Sequence, residues 1–193
     1  KSPLVQKLLG ITPHIADQTL AFKSYLLCRD MMSLNKGLPW IEPGAVEILE
    51  STLNKDSTVL EVGAGTSTAW FAERAKYVLS FESNRCWYAI VKDELDFQGI
   101  ENVDLLLCPK YPTEGLEFGG IFDVVLIDGP TVGRTRCIKD TIKRVKPGGL
   151  FVVDDSQREQ YDEGLLLLDT QGWKRSDFHA ERGQRITSVW EVT

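Results

Sequence analysis

From Lys55 onward, short apolar runs alternate with amphipathic stretches, and this alternation restricts the fold more than any other feature of the chain. Thr58-Val-Leu-Glu-Val62, Tyr77-Val-Leu-Ser-Phe81, the run over 103–107, Phe122-Asp-Val-Val-Leu-Ile127 and Gly149-Leu-Phe-Val-Val153 each read as a strand. Residues 66–75, 86–97, 135–145 and 159–168 read as the helices that follow or separate them. Strands that are apolar at nearly every position leave no face for water, so they predict a parallel sheet covered by helices on both sides. The tail breaks the rhythm, because 173–178 and 186–192 are strand candidates joined without a helix. A parallel crossover needs a longer connection, so this pair predicts an antiparallel hairpin. The expected fold class is α/β: a doubly wound, mostly parallel seven-stranded sheet with a C-terminal antiparallel hairpin and an N-terminal helical extension.

The extension is read from the start of the chain. Ile15, Leu20, Tyr25, Leu26 and Met31 recur at near-helical spacing, and Pro43 suits a first helical turn ahead of Val46, Leu49 and Leu53. Residues 1–55 are expected to form a lid or the contact of a homo-oligomer, and 56–193 the ligand-binding domain. The 193 residues carry 22 Lys+Arg against 28 Asp+Glu, a net charge of -6. That balance disfavours a dedicated nucleic-acid binder. The longest aliphatic run, Leu165 to Leu168, is far below the roughly 20 apolar residues of a membrane span. Cys28, Cys86, Cys108 and Cys137 form no CxxC pair and read as reduced thiols. With no charged-then-apolar leader in view, the expected location is the cytoplasm.

Ligands of a doubly wound sheet sit at the carboxyl ends of its strands. The first strand here runs into Glu61-Val-Gly63-Ala-Gly65-Thr-Ser-Thr68, a glycine turn opening a helix. Such a turn lets a ligand approach the backbone closely. Glu82 ends the second strand, 19 residues past Gly63, where a carboxylate can accept both hydroxyls of a ribose. A nicotinamide dinucleotide and S-adenosylmethionine both suit this pattern. Glu61 favours the second, since a carboxylate beside the helix end would repel a pyrophosphate. The Lys146-Pro-Gly-Gly149 turn and the terminal hairpin point the same way.

In this order, Val59-Leu-Glu-Val-Gly-Ala-Gly65, Phe81-Glu82, Phe122-Asp-Val-Val-Leu-Ile-Asp128 and Lys146-Pro-Gly-Gly149 resemble the class I S-adenosylmethionine-dependent methyltransferases, over residues 56–193. The resemblance implies that Glu61, Gly63, Ala64 and Gly65 surround the methionine part of the cofactor, with Thr66 beside them. It implies that Glu82 and Ser83 meet the ribose, that Cys108 and Pro109 lie near the adenine, and that Asp128 serves both cofactor binding and catalysis.

Asp128 ends the fourth strand and Asp154-Asp155 ends the fifth, so three carboxylates fall at neighbouring strand ends. Clustered carboxylates must be protonated, paired or metal-bound, and oxygen-only ligands suit Mg²⁺. The set resembles the metal site of the catechol- and caffeoyl-CoA-type O-methyltransferases, which implies Mg²⁺ on Asp128, Asp154 and Asp155 activating an acceptor hydroxyl. The other reading makes Asp154 and Asp155 a helix cap and Asp128 a cofactor contact, with no metal. Trp40, Trp87 and Tyr111 are candidate walls of an acceptor pocket or plain core, and His14 and His179 are candidate bases or surface groups. Arg134, Arg136, Lys139, Lys143, Arg144 and Lys146 oppose Ile138, Ile142 and Val145, which reads as a solvated helix face. Arg134 and Arg136 would sit at the pocket mouth and could clamp an anionic acceptor. The expected function is methyl transfer from S-adenosylmethionine to an oxygen of a small molecule. Metal-free N-methylation and a non-catalytic protein of the same fold stand as the alternatives.

Overall fold

The structure is a computed structural model, and it describes residues 37–110, 118–129, 133–180, 183 and 185–193. The helical pattern read over 15–31, His14, Cys28 and Tyr111 lie outside the described residues. The elements run α1 (Pro43–Thr52), β1 (Thr58–Val62), α2 (Thr66–Ala72), β2 (Tyr77–Glu82), α3 (Arg85–Gln98), β3 (Val103–Leu107) and β4 (Phe122–Ile127). They continue with α4 (Arg134–Thr141), β5 (Val145–Val153), α5 (Asp162–Asp169), β6 (Lys174–His179) and β7 (Ile186–Glu191). One seven-stranded sheet has the order β3-β2-β1-β4-β5-β7-β6. The first five strands are parallel, and β7 runs antiparallel to both β5 and β6. The expected fold class is therefore the observed one.

Alternate residues of each central strand enter opposite layers of the core, which is why almost every position is apolar. Leu60, Val125, Ile127, Phe151 and Val153 pack with Ile138, Tyr161, Leu165 and Leu168 of α4, α5 and the short turn before α5. Val59, Val124, Leu126 and Val152 pack on the other face with Leu49 of α1 and with Trp70 and Phe71 of α2. Helix α3 extends that second layer through Ile90, Val91 and Leu95. Asn84 opens α3 by accepting from the amides of Cys86 and Trp87 at 2.9 and 3.1 Å. Gly99 ends it in the left-handed region.

Four boundaries differ from the sequence reading. The helix read over 135–145 stops at Thr141, passes through one 3₁₀ turn (Ile142–Arg144) and becomes strand at Val145. Strand β5 starts four residues early because Val145 pairs with Phe122 before the ladder skips to Leu150 against Val124. Lys146, in the skipped stretch, pairs with Asp123 at 2.8 Å. The helix read over 159–168 splits into a 3₁₀ turn (Glu159–Tyr161) and α5. The helix read over 66–75 ends at Ala72.

Helix α1 shares the core of the sheet. Ile41, Ala45 and Leu49 are buried in the same layer as Val59, Val124 and Val189. Glu42, just before α1, donates its amide to Thr187 Oγ1 at 3.0 Å and accepts on Oε1 from Arg185 at 3.2 Å. The described part of the 1–55 segment is thus tied to β7 by both apolar and polar contacts.

Candidate cofactor-binding site

The crossover direction reverses between β1 and β4, and the crevice at their carboxyl ends holds a cavity of about 450 Å³. Gly63, Ala64, Gly65, Thr66, Glu82, Ser83 and Asp128 all line it. These are seven of the nine residues expected to bind cofactor. Glu61 and Cys108 do not line it. Trp40, Ser67, Asn84, Trp87 and Gly129 complete the wall.

Gly63 is required by geometry. Its φ is +102°, and a Cβ there would stand 2.5 Å from the backbone carbonyl of Asp128. Gly63 donates its amide to Phe81 O and Asp128 donates to Val62 O, both at 2.8 Å. The ends of β1, β2 and β4 are thereby drawn together. This brings Gly63, Glu82 and Asp128 to one crevice although 65 residues separate the first from the last.

Glu61 has no solvent exposure. Its Oε1 accepts from Ser67 Oγ, and its Oε2 accepts from Thr68 Oγ1 and Ser80 Oγ, each at 2.5 Å. Thr68 Oγ1 in turn accepts from the Gly65 amide at 2.9 Å. Burial pushes the Glu61 carboxyl up to about 7, against the pull of the three hydroxyls. Through these bonds Glu61 holds the glycine turn, α2 and β2 together. Two adjacent hydroxyl residues after the glycine turn, Ser67 and Thr68, and Ser80 in the next strand were the sequence signal for this.

Glu82 is 7% exposed and caps the end of β2. Its Oε1 accepts from the Asn84 amide at 2.6 Å, and the amides of Ser83 and Ala64 also support the carboxylate. Burial raises its pKa while those amides lower it. Cys108 donates its amide to Glu82 O at 2.7 Å and packs on the core. It is a neighbour of the ribose-binding candidate rather than part of the wall.

The aspartates are organised by an arginine. Arg134 is 4% exposed, although the sequence reading placed it at the pocket mouth. Its Nη2 donates to Asp128 Oδ1 at 2.9 Å, its Nε to Gly129 O at 3.0 Å and its Nη1 to Asp154 O. Its guanidinium carbon lies 5.2 Å from the centre of the Tyr161 ring. Asp154 Oδ1 accepts from Thr187 Oγ1 at 2.6 Å, and Asp155 pairs with Arg158. Burial holds the Asp128 and Asp154 carboxyls above their ordinary range; Asp154 pushes Asp128 further up and Arg134 pulls it back.

A hard cation would need these oxygens for itself. In place of the expected metal set, the three carboxylates have separate protein partners: Arg134 for Asp128, Thr187 for Asp154 and Arg158 for Asp155. Among the described residues no group of three or more His, Cys, Asp or Glu is arranged to hold a metal ion. A buried guanidinium already supplies the compensating charge, so the residues do not fit Mg²⁺ as they stand.

Arg136 pairs with Asp140, Lys139 with Glu163, and Lys146 with Asp123. The basic face of α4 is a set of surface ion pairs. His179 is exposed on β6, away from the cavity wall. No helix among the described residues is long and apolar enough to cross a membrane.

No protein-family model matches this sequence, and a search of curated proteins finds no relative. Solved structures do match. An rRNA methylase from Streptococcus thermophilus is 18% identical, with a TM-score of 0.63, covering 77% of this chain and 94% of its own. A precorrin-6y C5,15-methyltransferase from Geobacter metallireducens is 17% identical, with a TM-score of 0.63 over 77% and 87%. The N-methyltransferase NodS from Bradyrhizobium japonicum, solved with S-adenosyl-L-homocysteine, is 11% identical, with a TM-score of 0.56 over 76% and 84%. At these identities the likeness establishes that the chain has the α/β fold that these methyltransferases share.

Proposed function

We propose that the protein is an S-adenosylmethionine-dependent methyltransferase that acts on a nucleophilic oxygen or nitrogen of a small molecule without a metal ion. One observation carries the reading: the buried Glu82 carboxylate and the Gly63–Gly65 turn face one cavity at the sheet's switch point, a combination suited to an adenosyl ligand. When bound, S-adenosylmethionine supplies an electrophilic methyl group on a sulfonium. Glu82 would accept the ribose hydroxyls, and its supporting amides fix the carboxylate for that task. The glycine turn leaves room for the methionine chain. Asp128 keeps one carboxylate oxygen on Arg134, while the other makes no hydrogen bond among the described residues. That second oxygen, on a group held above its ordinary pKa, suits it to take a proton from the acceptor.

The buried Arg134 favours metal-free transfer over the Mg²⁺-assisted O-methylation expected from the sequence. The paired cations of α4 and the net charge of -6 favour a small acceptor over RNA. The test is turnover of S-adenosylmethionine across a panel of phenols, amines, carboxylic acids and a structured RNA. Activity should persist in EDTA, and Asp128→Asn should lower kcat by about 100-fold or more while cofactor affinity stays within about threefold. Turnover that EDTA abolishes, or that requires RNA, would overturn this form of the proposal.

A further inference from the structure

The cavity wall has a composition that says what charge it prefers. Among the described residues it carries two indoles, Trp40 and Trp87, and two carboxylates, Glu82 and Asp128, and no Lys, Arg or His. The indole centres are 6.0 Å apart, with the planes tilted by 51°. Neither ring is loosely placed. Trp87 donates Nε1–H to Ala64 O, which pins it over the glycine turn. Trp40 is held through the chain on both sides: Leu38 O accepts from Thr66 Oγ1 at 2.7 Å, Ile41 is buried in the core, and the Glu42 amide donates to Thr187 at 3.0 Å. Residues 38–42 thus form a strap from the start of α2 to β7. In the sheet order, β4 and β5 lie between β1, which leads into α2, and β7.

An indole face attracts a cation through its quadrupole, and the effect grows where water is excluded. We propose that the Trp40–Trp87 pair makes this cavity selective for a cationic sulfonium over the neutral thioether. This deepens the reading above and rests on it. In methyl transfer the acceptor's lone pair forms the new bond to carbon, the S–CH₃ bond breaks with its electrons staying on sulfur, and the acceptor's proton leaves to Asp128 or water. Sulfur becomes neutral in that step, so the attraction that holds the methyl donor is switched off in the product. The ribose contacts of Glu82 are the same for both forms and do not discriminate between them. Asp128 shares its charge with Arg134, which leaves the indoles as the principal discriminator.

Calorimetric titration of the full chain with three ligands tests this: S-adenosylmethionine, S-adenosylhomocysteine, and sinefungin, which carries an ammonium group where the sulfonium methyl would be. The wild type should bind the two cationic ligands about tenfold more tightly than S-adenosylhomocysteine. Trp40→Leu should bring that ratio to within about twofold, and Trp40→Phe, which keeps a weaker ring, should fall between. A purely structural role for Trp40 would weaken all three ligands alike and leave the ratio unchanged; that result overturns the proposal. Equal wild-type affinities overturn it without any variant. Absence of binding by all three overturns the cofactor reading itself, and the selectivity with it.

Discussion

A carboxyl group with no solvent exposure titrates with the fold, and Glu61 is such a group. Its ordinary pKa of 4.5 applies to the unfolded chain, while the folded protein raises it to about 7. Between those values the folded state holds a proton that the unfolded state has lost. Stability is therefore greatest below about 4.5 as far as this group is concerned, and it falls as pH rises through about 7. At about 1.4 kcal/mol per pKa unit the effect is of order 3 kcal/mol, reduced by whatever structure relaxes around the ion. Glu82, Asp128 and Asp154 are raised too and add slopes of the same sign. The readout is therefore the difference between proteins. Glu61→Gln should flatten the fall in urea midpoint between pH 5 and 8 relative to the wild type, and equal slopes in the two proteins would contradict this role.

At the scale of elements, α1 is the informative case. Leu49 is fully buried in the layer between α1 and the sheet, beside Val59 and Val189. Leu49→Ala should cost about 2–5 kcal/mol and shift the whole denaturation curve in one transition, because α1 and the sheet share one core. An early, separate transition would show α1 folding on its own. Much of this level was legible in the chain. The strand runs from Thr58 to Val153 were readable because both faces are covered, which leaves an apolar signal at nearly every position. The early start of β5 was not, because it depends on Val145 meeting Phe122 and on Lys146 meeting Asp123. The glycine turn and Glu82 were legible as local motifs at strand ends. Arg134 was misplaced at the surface because its burial depends on carbonyls just beyond β4 and β5, those of Gly129 and Asp154, that converge only in the folded sheet. The strap over 38–42 carries no motif, and its place follows from contacts with Thr66 and Thr187 far along the chain.

At the scale of the whole molecule, many positive charges of the described residues are paired within the protein. Arg134 and Arg185 serve buried acids, and the cations of α4 pair across its surface. Surface pairs of this kind add little stability, but they reduce the free positive charge that α4 would offer a phosphate backbone. The cavity at the switch point is bounded by a glycine turn, the buried Glu82 carboxylate and the aromatic strap. The central claim is that this cavity takes the adenosyl group of the methyl donor and needs no metal to do so. The most direct measurement is a calorimetric titration of the full chain with S-adenosylhomocysteine, in Mg²⁺ and again in EDTA, repeated with Glu82→Ala. The account predicts micromolar binding that is the same in both buffers and at least about tenfold weaker in the variant. Binding that appears only with Mg²⁺, or no binding in either buffer, would contradict it.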